Sequence, residues 1–313
     1  MSQSPYEKPA TILITGATGQ VGEAVYEMAE GDRFFNPIGL SVKQLDITSL
    51  EQVRARLDEY LPDYVINCAA FNRVDAAQHE KDRCFDVNTK GVENLAQVCG
   101  DLSIPMIHLS SDFVFDGHYE SAYLETDDVT PLGVYGQSKW QGEEALRRRL
   151  PQHIVLRVSW IFSRKGDNFV TRTLDRARTR LELRAVSDRH GCPTAASDVA
   201  RVILAMLKQI HCGAEVWGTY HYSGAEPTTR YSFCKEIITQ AMSFEQLVTE
   251  KLSAVTAEQY KKEVQRPSSS ILDCRKILNT FGIRQRPWRT DLSHEVREHY
   301  QARKQQNAAD AET

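Results

Sequence analysis

Residues 11–22 read TILITGATGQVG: a short apolar run, Thr11–Thr15, passing directly into Gly16-Ala17-Thr18-Gly19-Gln20-Val21-Gly22 and then into an amphipathic stretch that ends near residue 30. Glycines at G-x-x-G-x-x-G spacing permit a tight turn, let the main chain approach a pyrophosphate, and let the following helix pack closely on the strand. A helix that opens there aims its free N–H groups and the positive end of its dipole at phosphate oxygens. Glycine-rich turns are common. One that follows the first buried strand and opens a helix predicts a dinucleotide-binding unit, with Gly16, Thr18, Gly19, Gln20, Val21 and Gly22 lining the cofactor.

The pattern continues outward from this turn. Apolar runs rich in Ile, Val and Leu recur at 36–40, 64–68, 105–109 and 153–158, and helix-like segments lie near 20–30, 49–60, 82–99 and 134–149. Short apolar runs between turn residues are how strands buried on both faces of a parallel sheet read. Their alternation with helices predicts an α/β fold, a Rossmann-type doubly wound parallel sheet. After about residue 160 the pattern loosens. An Arg-rich helix is expected over 169–184, a helix over 197–209, a strand over 216–222, a helix near 230–242, and a polar region to the end. Residues 1–160 read as the dinucleotide-binding domain, to which segments near 195–222 return. Residues 161–300 read mainly as a smaller, interleaved C-terminal substrate domain. Residues 1–9 and the apolar-poor stretch 301–313 (QARKQQNAADAET) read as disordered ends.

Composition sets the class. The chain has 313 residues, 41% of them hydrophobic, and 38 basic against 42 acidic side chains give a net charge of −4. There is no global positive field for nucleic acid or anionic lipid. No apolar run approaches the roughly 18 residues of a membrane span. The first ten residues lack an apolar signal core. A folded, soluble, cytoplasmic protein is expected, with no nucleic-acid or membrane partner. The seven cysteines are widely spaced and form no C-x-x-C pair, which predicts reduced, mostly buried thiols and no structural zinc site. Nine histidines without H-x-x-x-H spacing point the same way.

NAD-binding units of this kind usually carry an acid at the end of the second strand, some 20 residues past the turn. Here Ile38-Gly39-Leu40 is followed by Ser41, Val42 and Lys43. Ser41 and Lys43 are suited to a 2′-phosphate, so NADP(H) is favoured over NAD(H), unless Lys43 is simply a solvated surface residue. The next short run, Lys43–Ile47, contains Asp46, which either reaches the adenine or caps a helix opening at Thr48.

The run at 105–109 ends in Ser110-Ser111-Asp112, and Tyr135-Gly136-Gln137-Ser138-Lys139 lies beyond it. Tyr135 and Lys139 are four apart and share one helix face. A phenol beside an ammonium and a nicotinamide cation is expected to have a lowered pKa and to exchange a proton with a substrate oxygen. Lys139 can also bind the cofactor ribose, and the Ser111 hydroxyl can hold a substrate carbonyl. Each residue alone means little. Glycine turn, then serine at a strand end, then Y-x-x-x-K opening the next helix, is the order a nicotinamide-dependent carbonyl reductase needs.

In that order the sequence resembles the extended short-chain dehydrogenases/reductases, and among them the dTDP-4-dehydrorhamnose reductases. The resemblance covers about residues 10–295. It is carried by GATGQVG at 16–22, NCAAFNRVDAAQ at 67–78, Val87-Asn88, SSDFVFDG at 110–117, YGQSK at 135–139, RVSWIF at 157–162, GDNF at 166–169, DRHGCPT at 188–194 and QRPSSSILD at 265–273. It implies Ser111, Tyr135 and Lys139 as catalytic residues. It places Asp112 and Trp160 against the sugar, with Asn168 and Arg266 as further substrate contacts. Cys68, Ala69 and Ala70, in the loop after the fourth strand, and Asn88 would border the cofactor, as would Ile47 beside Asp46. The implied reaction is reduction of the 4-keto group of a nucleotide-sugar, with Tyr135 as proton donor.

The chain also departs from that pattern. Some relatives join a dimer through Mg²⁺ held by acidic residues, one early in the first helix. Ala24 stands there, so no metal is expected, and a homodimer is left open. The family's Asp-Tyr pair reads Asp112-Phe113. Residues 266–273 and 222–224 also resemble the regulatory beta subunit of methionine adenosyltransferase, which makes a non-catalytic NADP-binding subunit the alternative. An epimerase or dehydratase is a third reading, and Phe113 after Asp112 argues against a dehydratase. The arginines at 172, 176, 178, 180 and 184 either meet a diphosphate or form a solvated face. Arg147–Arg149 read as cations answering a helix C-terminus. His190 borders the expected cleft.

Overall fold

The computed structural model describes residues 8–118, 121–260 and 263–311, with side chains to residue 305. The expected disorder at residues 1–7 and 312–313 lies outside the described residues. The first part of the chain alternates β1 (Ala10–Thr15), α1 (Gln20–Glu30), β2 (Phe35–Leu40), α2 (Leu50–Tyr60), β3 (Tyr64–Asn67), α3 (Val74–Ala77), α4 (Lys81–Phe85), α5 (Gly91–Leu102), β4 (Met106–Ser111), α6 (Val134–Arg149) and β5 (His153–Val158). It continues through β6 (Ile161–Phe162), α7 (Phe169–Ala177), β7 (Glu182–Val186), β8 (His190–Gly191), β9 (Thr194–Ala195), α8 (Ala196–His211), β10 (Gly218–Tyr222) and β11 (Thr228–Thr229). The last elements are α9 (Arg230–Ala241), β12 (Lys251–Val255), α10 (Ala257–Tyr260), α11 (Arg275–Phe281) and α12 (Trp288–Ala311).

Six of these strands form one sheet in the order β10-β5-β4-β3-β1-β2, parallel throughout. Side chains of alternate strand residues go to opposite faces, and both faces are covered. Ile12 and Ile14 of β1 pack under α1 and α8, while Leu13 packs with Val53, Leu57, Val92 and Leu95 of α2 and α5. The chain order reverses between β1 and β3, and ligands of such sheets sit at that reversal, outside the carboxyl ends of the strands. The register brings those ends level: Thr15 lies opposite Leu40 and Asn67, and Ser111 and Tyr222 both lie opposite Val158. Much of the chain after β5, apart from α8, β10 and α11, builds a smaller lobe around Phe162, Phe233, Trp288 and Leu292. Among the described residues no helix is long and apolar enough to cross a membrane.

Several expectations are corrected. The Arg-rich helix ends at Ala177 rather than 184. Glu182–Val186 is a strand, with Leu183 and Ala185 buried and Glu182 and Arg184 exposed, and it pairs with β12. That alternation favours a half-buried strand over a helix. Lys43–Ile47 is a turn whose Leu45 and Ile47 plug the core, so the loop at 68–70 follows the third strand, not a fourth. The helix expected over 82–99 contains a π turn at Asp86–Lys90. The polar C-terminal region holds β12, α10, α11 and α12. Residues 301–311, expected to be disordered, continue α12: the stretch has no glycine or proline and is rich in Ala, Gln, Arg and Lys, which extend an existing helix cheaply.

Candidate active site

The glycine turn lies beside the reversal point. Gly16 has φ +62°, a left-handed conformation natural to glycine, and a Cβ there would sit 2.7 Å from the Ala69 amide nitrogen. At Gly22 a Cβ would fall 2.3 Å from the Gly16 carbonyl oxygen, which is how α1 comes so close to β1. Gly19 is the N-cap of α1 and no side chain caps the helix, so its first-turn N–H groups are left for a ligand. Thr18 and Gly19 are exposed, Val21 is buried beneath, and the Gln20 side-chain Oε1 accepts from the Ser163 hydroxyl at 2.9 Å. A turn that no Cβ could enter, open on its outer side and backed by a helix N-terminus, fits a dinucleotide pyrophosphate.

On the adenosine side, Ser41 is tied to Gln44 and Lys43 is exposed. Asp46 accepts from the amide and hydroxyl of Thr48, and Ser49, not Asp46, caps the next helix. Ile47 is buried against Gly91. Across the strand ends, Thr15 donates to Asn67 at 2.6 Å, and Asn67 lies 3.0 Å from Nδ1 of His108. Asn67 also accepts from the Ala69 amide and so shapes the loop Cys68-Ala69-Ala70 beside Gly16. Cys68 is half-buried, its thiol pushed up to about 12 by burial. Asn88 is occupied within the protein: its amide exchanges hydrogen bonds with the main chain of Phe71 and donates to Ser138.

Ser111, Tyr135 and Lys139 come together at the end of β4. Two glycines let α6 lie close enough: a Cβ on Gly136 would strike the Phe113 carbonyl oxygen and one on Gly142 that of Asn88. The Tyr135 phenol faces the Ser111 hydroxyl, which favours its ionised form, and its ring meets Phe113 edge-on at 5.6 Å. Ser111 donates to Asp112 at 3.0 Å and accepts from the Phe113 amide. Lys139 is buried, donates to the Leu109 carbonyl at 2.6 Å, and is lowered to about 8, first by burial, with Glu143 opposing. The expected lowering of the Tyr135 pKa is not found in the protein itself. Burial pushes the phenol up, Asp112 and Cys84 add to that, and Ser111 only partly offsets it.

Beside this set stand Asp112, hydrogen-bonded to Ser111, and Trp160. Asp112 is buried, accepts from Ser159 at 2.8 Å, and is raised by burial against the pull of Ser270, Ser159, Ser111 and Arg230. Trp160 has φ +45°, and its indole fills the space that a side chain at Gly191 would need. Arg230 lies over that indole, with Cζ 3.6 Å from the ring centroid. Burial draws its guanidinium below the usual arginine range; Asp112 resists, and the like charges of Arg266 and Arg172 add to the fall. The Arg230 contribution escapes sequence reasoning, because an arginine after an N-cap threonine is unremarkable. Only its contact with the conspicuous Trp160 marks it.

Arg266 binds Asp75 at 2.7 Å and neighbours Arg189. Asn168, expected at the substrate, caps α7 instead: it accepts from the Val170 and Thr171 amides and donates to the Ser163 and Lys165 carbonyls. Of the Arg-rich stretch, Arg176, Arg180 and Arg184 are exposed, Arg172 pairs with Asp167, and Arg178 with Glu245. His190 is exposed, and its main chain pairs with Thr229. Arg147–Arg149 form the last turn of α6. None of the seven cysteines is in a disulfide.

Known proteins resemble this chain in sequence and in fold. The family described as RmlD substrate binding domain matches residues 10–301. A dTDP-4-dehydrorhamnose reductase of Aggregatibacter actinomycetemcomitans is 36% identical over 287 residues, covering 91% of this chain and 98% of the relative. One of Sinorhizobium fredii is 34% identical, covering 88% and 93%. The crystal structure of the Bacillus anthracis dTDP-4-dehydrorhamnose reductase in complex with NADP superimposes with a TM-score of 0.84 at 28% identity, covering 93% of this chain and 99% of that one.

Proposed function

Because this chain belongs to the dTDP-4-dehydrorhamnose reductases, we propose that it reduces the C4 ketone of dTDP-4-dehydro-L-rhamnose to dTDP-L-rhamnose, with NADPH as reductant. The observation that carries the reading is the meeting of Ser111, Tyr135 and Lys139 at the carboxyl end of the sheet that also bears the glycine turn. When bound, the reduced nicotinamide supplies the hydride that ends on C4. Tyr135 gives its phenolic proton to the ketone oxygen as that oxygen gains charge. A phenol kept protonated by burial is loaded for this at neutral pH.

Lys139 spends one N–H on Leu109 and has two more donors for the cofactor ribose. Its charge favours the phenolate left on Tyr135, which regains a proton from solvent. The Ser111 hydroxyl turns from Asp112 to the ketone oxygen and holds it in line. Asp112 accepts from a sugar hydroxyl, Trp160 offers the sugar a flat wall, and Arg230, with Arg266 and Arg189 nearby, supplies the positive charge a diphosphate needs.

NADPH is preferred because β2 ends at Leu40 and runs into Ser41-Val42-Lys43 with no acid to hold a ribose 2′-hydroxyl, and Lys43 is exposed there. The structural relative from Bacillus anthracis is described with NADP. The surroundings of Ala24 do not favour a Mg²⁺-linked dimer: Glu23 is paired with Lys165, Glu27 with Arg164, and Glu295 with Ser197 and the Arg164 amide. In this reading residues up to about 160, with α8 and β10, serve the cofactor, and most of the remainder serves the sugar, in the cytoplasm. NADPH oxidation followed over a panel of 4-keto nucleotide-sugars tests the assignment. Turnover of the dTDP-linked 4-keto-6-deoxy sugar supports it, and binding of NADPH without turnover of any of them supports the non-catalytic alternative.

A further inference from the structure

Three successive residues at the end of β4 are each engaged by one residue of a single stripe on α6. Lys139 donates to the Leu109 carbonyl, Glu143 accepts from the Ser110 hydroxyl, and Tyr135 faces Ser111. Positions 135, 139 and 143 follow at i, i+4 and i+8, one face of the helix. The proposed chemistry uses Tyr135 and Lys139 and leaves Glu143 without a part.

Glu143 is nevertheless an expensive group. It is fully buried and takes hydrogen bonds from Arg157 Nε at 3.0 Å, Arg157 Nη2 at 2.8 Å and Arg147 Nη2 at 2.7 Å, besides Ser110. Arg157 comes from β5, is itself buried, and lies 5.1 Å from the centre of the Phe115 ring. Buried ion pairs seldom improve on well-packed apolar residues as a source of stability. Stability alone therefore does not account for a carboxylate here.

We propose that Glu143, locked by Arg157, is a positioning residue of this reaction: it holds the Tyr135–Lys139 face of α6 in register with the end of β4, and its carboxylate keeps the buried Lys139 ammonium charged. The inference rests on the reductase reading. Lys139 is faced by Glu143 from α6, Cys68 from the loop after β3, Cys84 from α4 and His108 from β4. Burial pushes both thiols up and the imidazole well down, so these three are neutral at neutral pH. Glu143 is the anion in that set. Burial, with Glu143 foremost among the groups opposing it, leaves Lys139 at about 8. Removing Glu143 lowers it further, so the lysine loses its proton at a lower pH.

Glu143→Gln alone strands the Arg157 charge, so the test adds the double variant Glu143→Gln/Arg157→Gln, in which two amides replace two charges, and Ser110→Ala, which leaves both charges in place. The readouts are the pH profile of kcat/KM with the keto sugar and the titration of the Lys139 side chain by ¹³C NMR, assigned with Lys139→Arg. In the double variant the alkaline limb and the Lys139 titration are expected to move down together by about one pH unit. Ser110→Ala is expected to lower kcat roughly fivefold, the scale of one neutral hydrogen bond, with the limb in place. Folded double variant with limb and titration unmoved, or Ser110→Ala with wild-type kcat, overturns the inference. If the wild type turns over no keto sugar, the reductase reading fails, and the Lys139 titration still decides the electrostatic role of Glu143.

Discussion

The guanidinium carbon of Arg230 lies 3.6 Å from the centroid of the Trp160 indole and 4.7 Å from that of the Phe169 ring. The stack fixes an indole whose backbone is held in a left-handed conformation and places a cation beside Asp112. Arg230→Met keeps the length and removes both the charge and the cation–π contact. Losing a desolvated cation–π contact and a charged hydrogen bond costs roughly 2–4 kcal/mol. Steady-state kinetics are expected to give a KM for the nucleotide-sugar higher by about 30-fold or more, with NADPH affinity within twofold of wild type.

Gly16 makes the second prediction. Any side chain there meets the main chain of Ala69 and must adopt φ +62°. Gly16→Val is expected to abolish NADPH binding in a fluorescence titration and to lower the melting temperature, with strain of about 1–3 kcal/mol. Thr18→Val, at an exposed position of the same turn, is expected to leave the melting temperature unchanged.

Lys43 separates the two cofactors. Its exposed ammonium follows a strand end that carries no acid. Lys43→Ala is expected to weaken NADPH roughly tenfold, the value of one charge-assisted contact, and to leave NADH unaffected. Equal losses for both cofactors would remove the 2′-phosphate contact from the account.

Acid stability follows from a buried imidazole. His221 is buried between the Tyr123 carbonyl and Arg157, and its pKa falls from 6.5 to about 3, chiefly by burial and then by the Arg157 charge. The unfolded chain therefore binds the extra proton first. The stabilisation is complete above about 6.5 and is lost progressively as pH falls toward about 3, at no more than about 1.4 kcal/mol per pH unit for one group. Urea midpoints are expected to drop between pH 7.5 and 5, and to drop less in His221→Gln.

Much of this architecture is legible in the sequence because its causes are local. Ile12, Leu13 and Ile14 announce a strand buried on both faces, and Gly16, Gly19 and Gly22 announce the turn. What was not legible depends on distant parts of the chain. Arg230 matters only because the start of α9 meets Trp160, in the turn after β5. The Tyr135 phenol is raised by burial that its helix position does not reveal. Asn168 is the opposite case: the signal was local, an asparagine before a helix with Thr171 at its third position, and the motif resemblance drew attention from it. At Glu182–Val186 the density of arginines hid a two-residue alternation.

Tyr135 as proton donor is the central claim, and Tyr135→Phe tests it most directly. With NADPH and dTDP-4-dehydro-L-rhamnose, the wild type is expected to oxidise cofactor in step with product formation. The variant should lose about 10²–10⁴-fold in kcat while binding NADPH nearly as well. Near-full turnover by the variant, or no turnover by the wild type, would contradict the account.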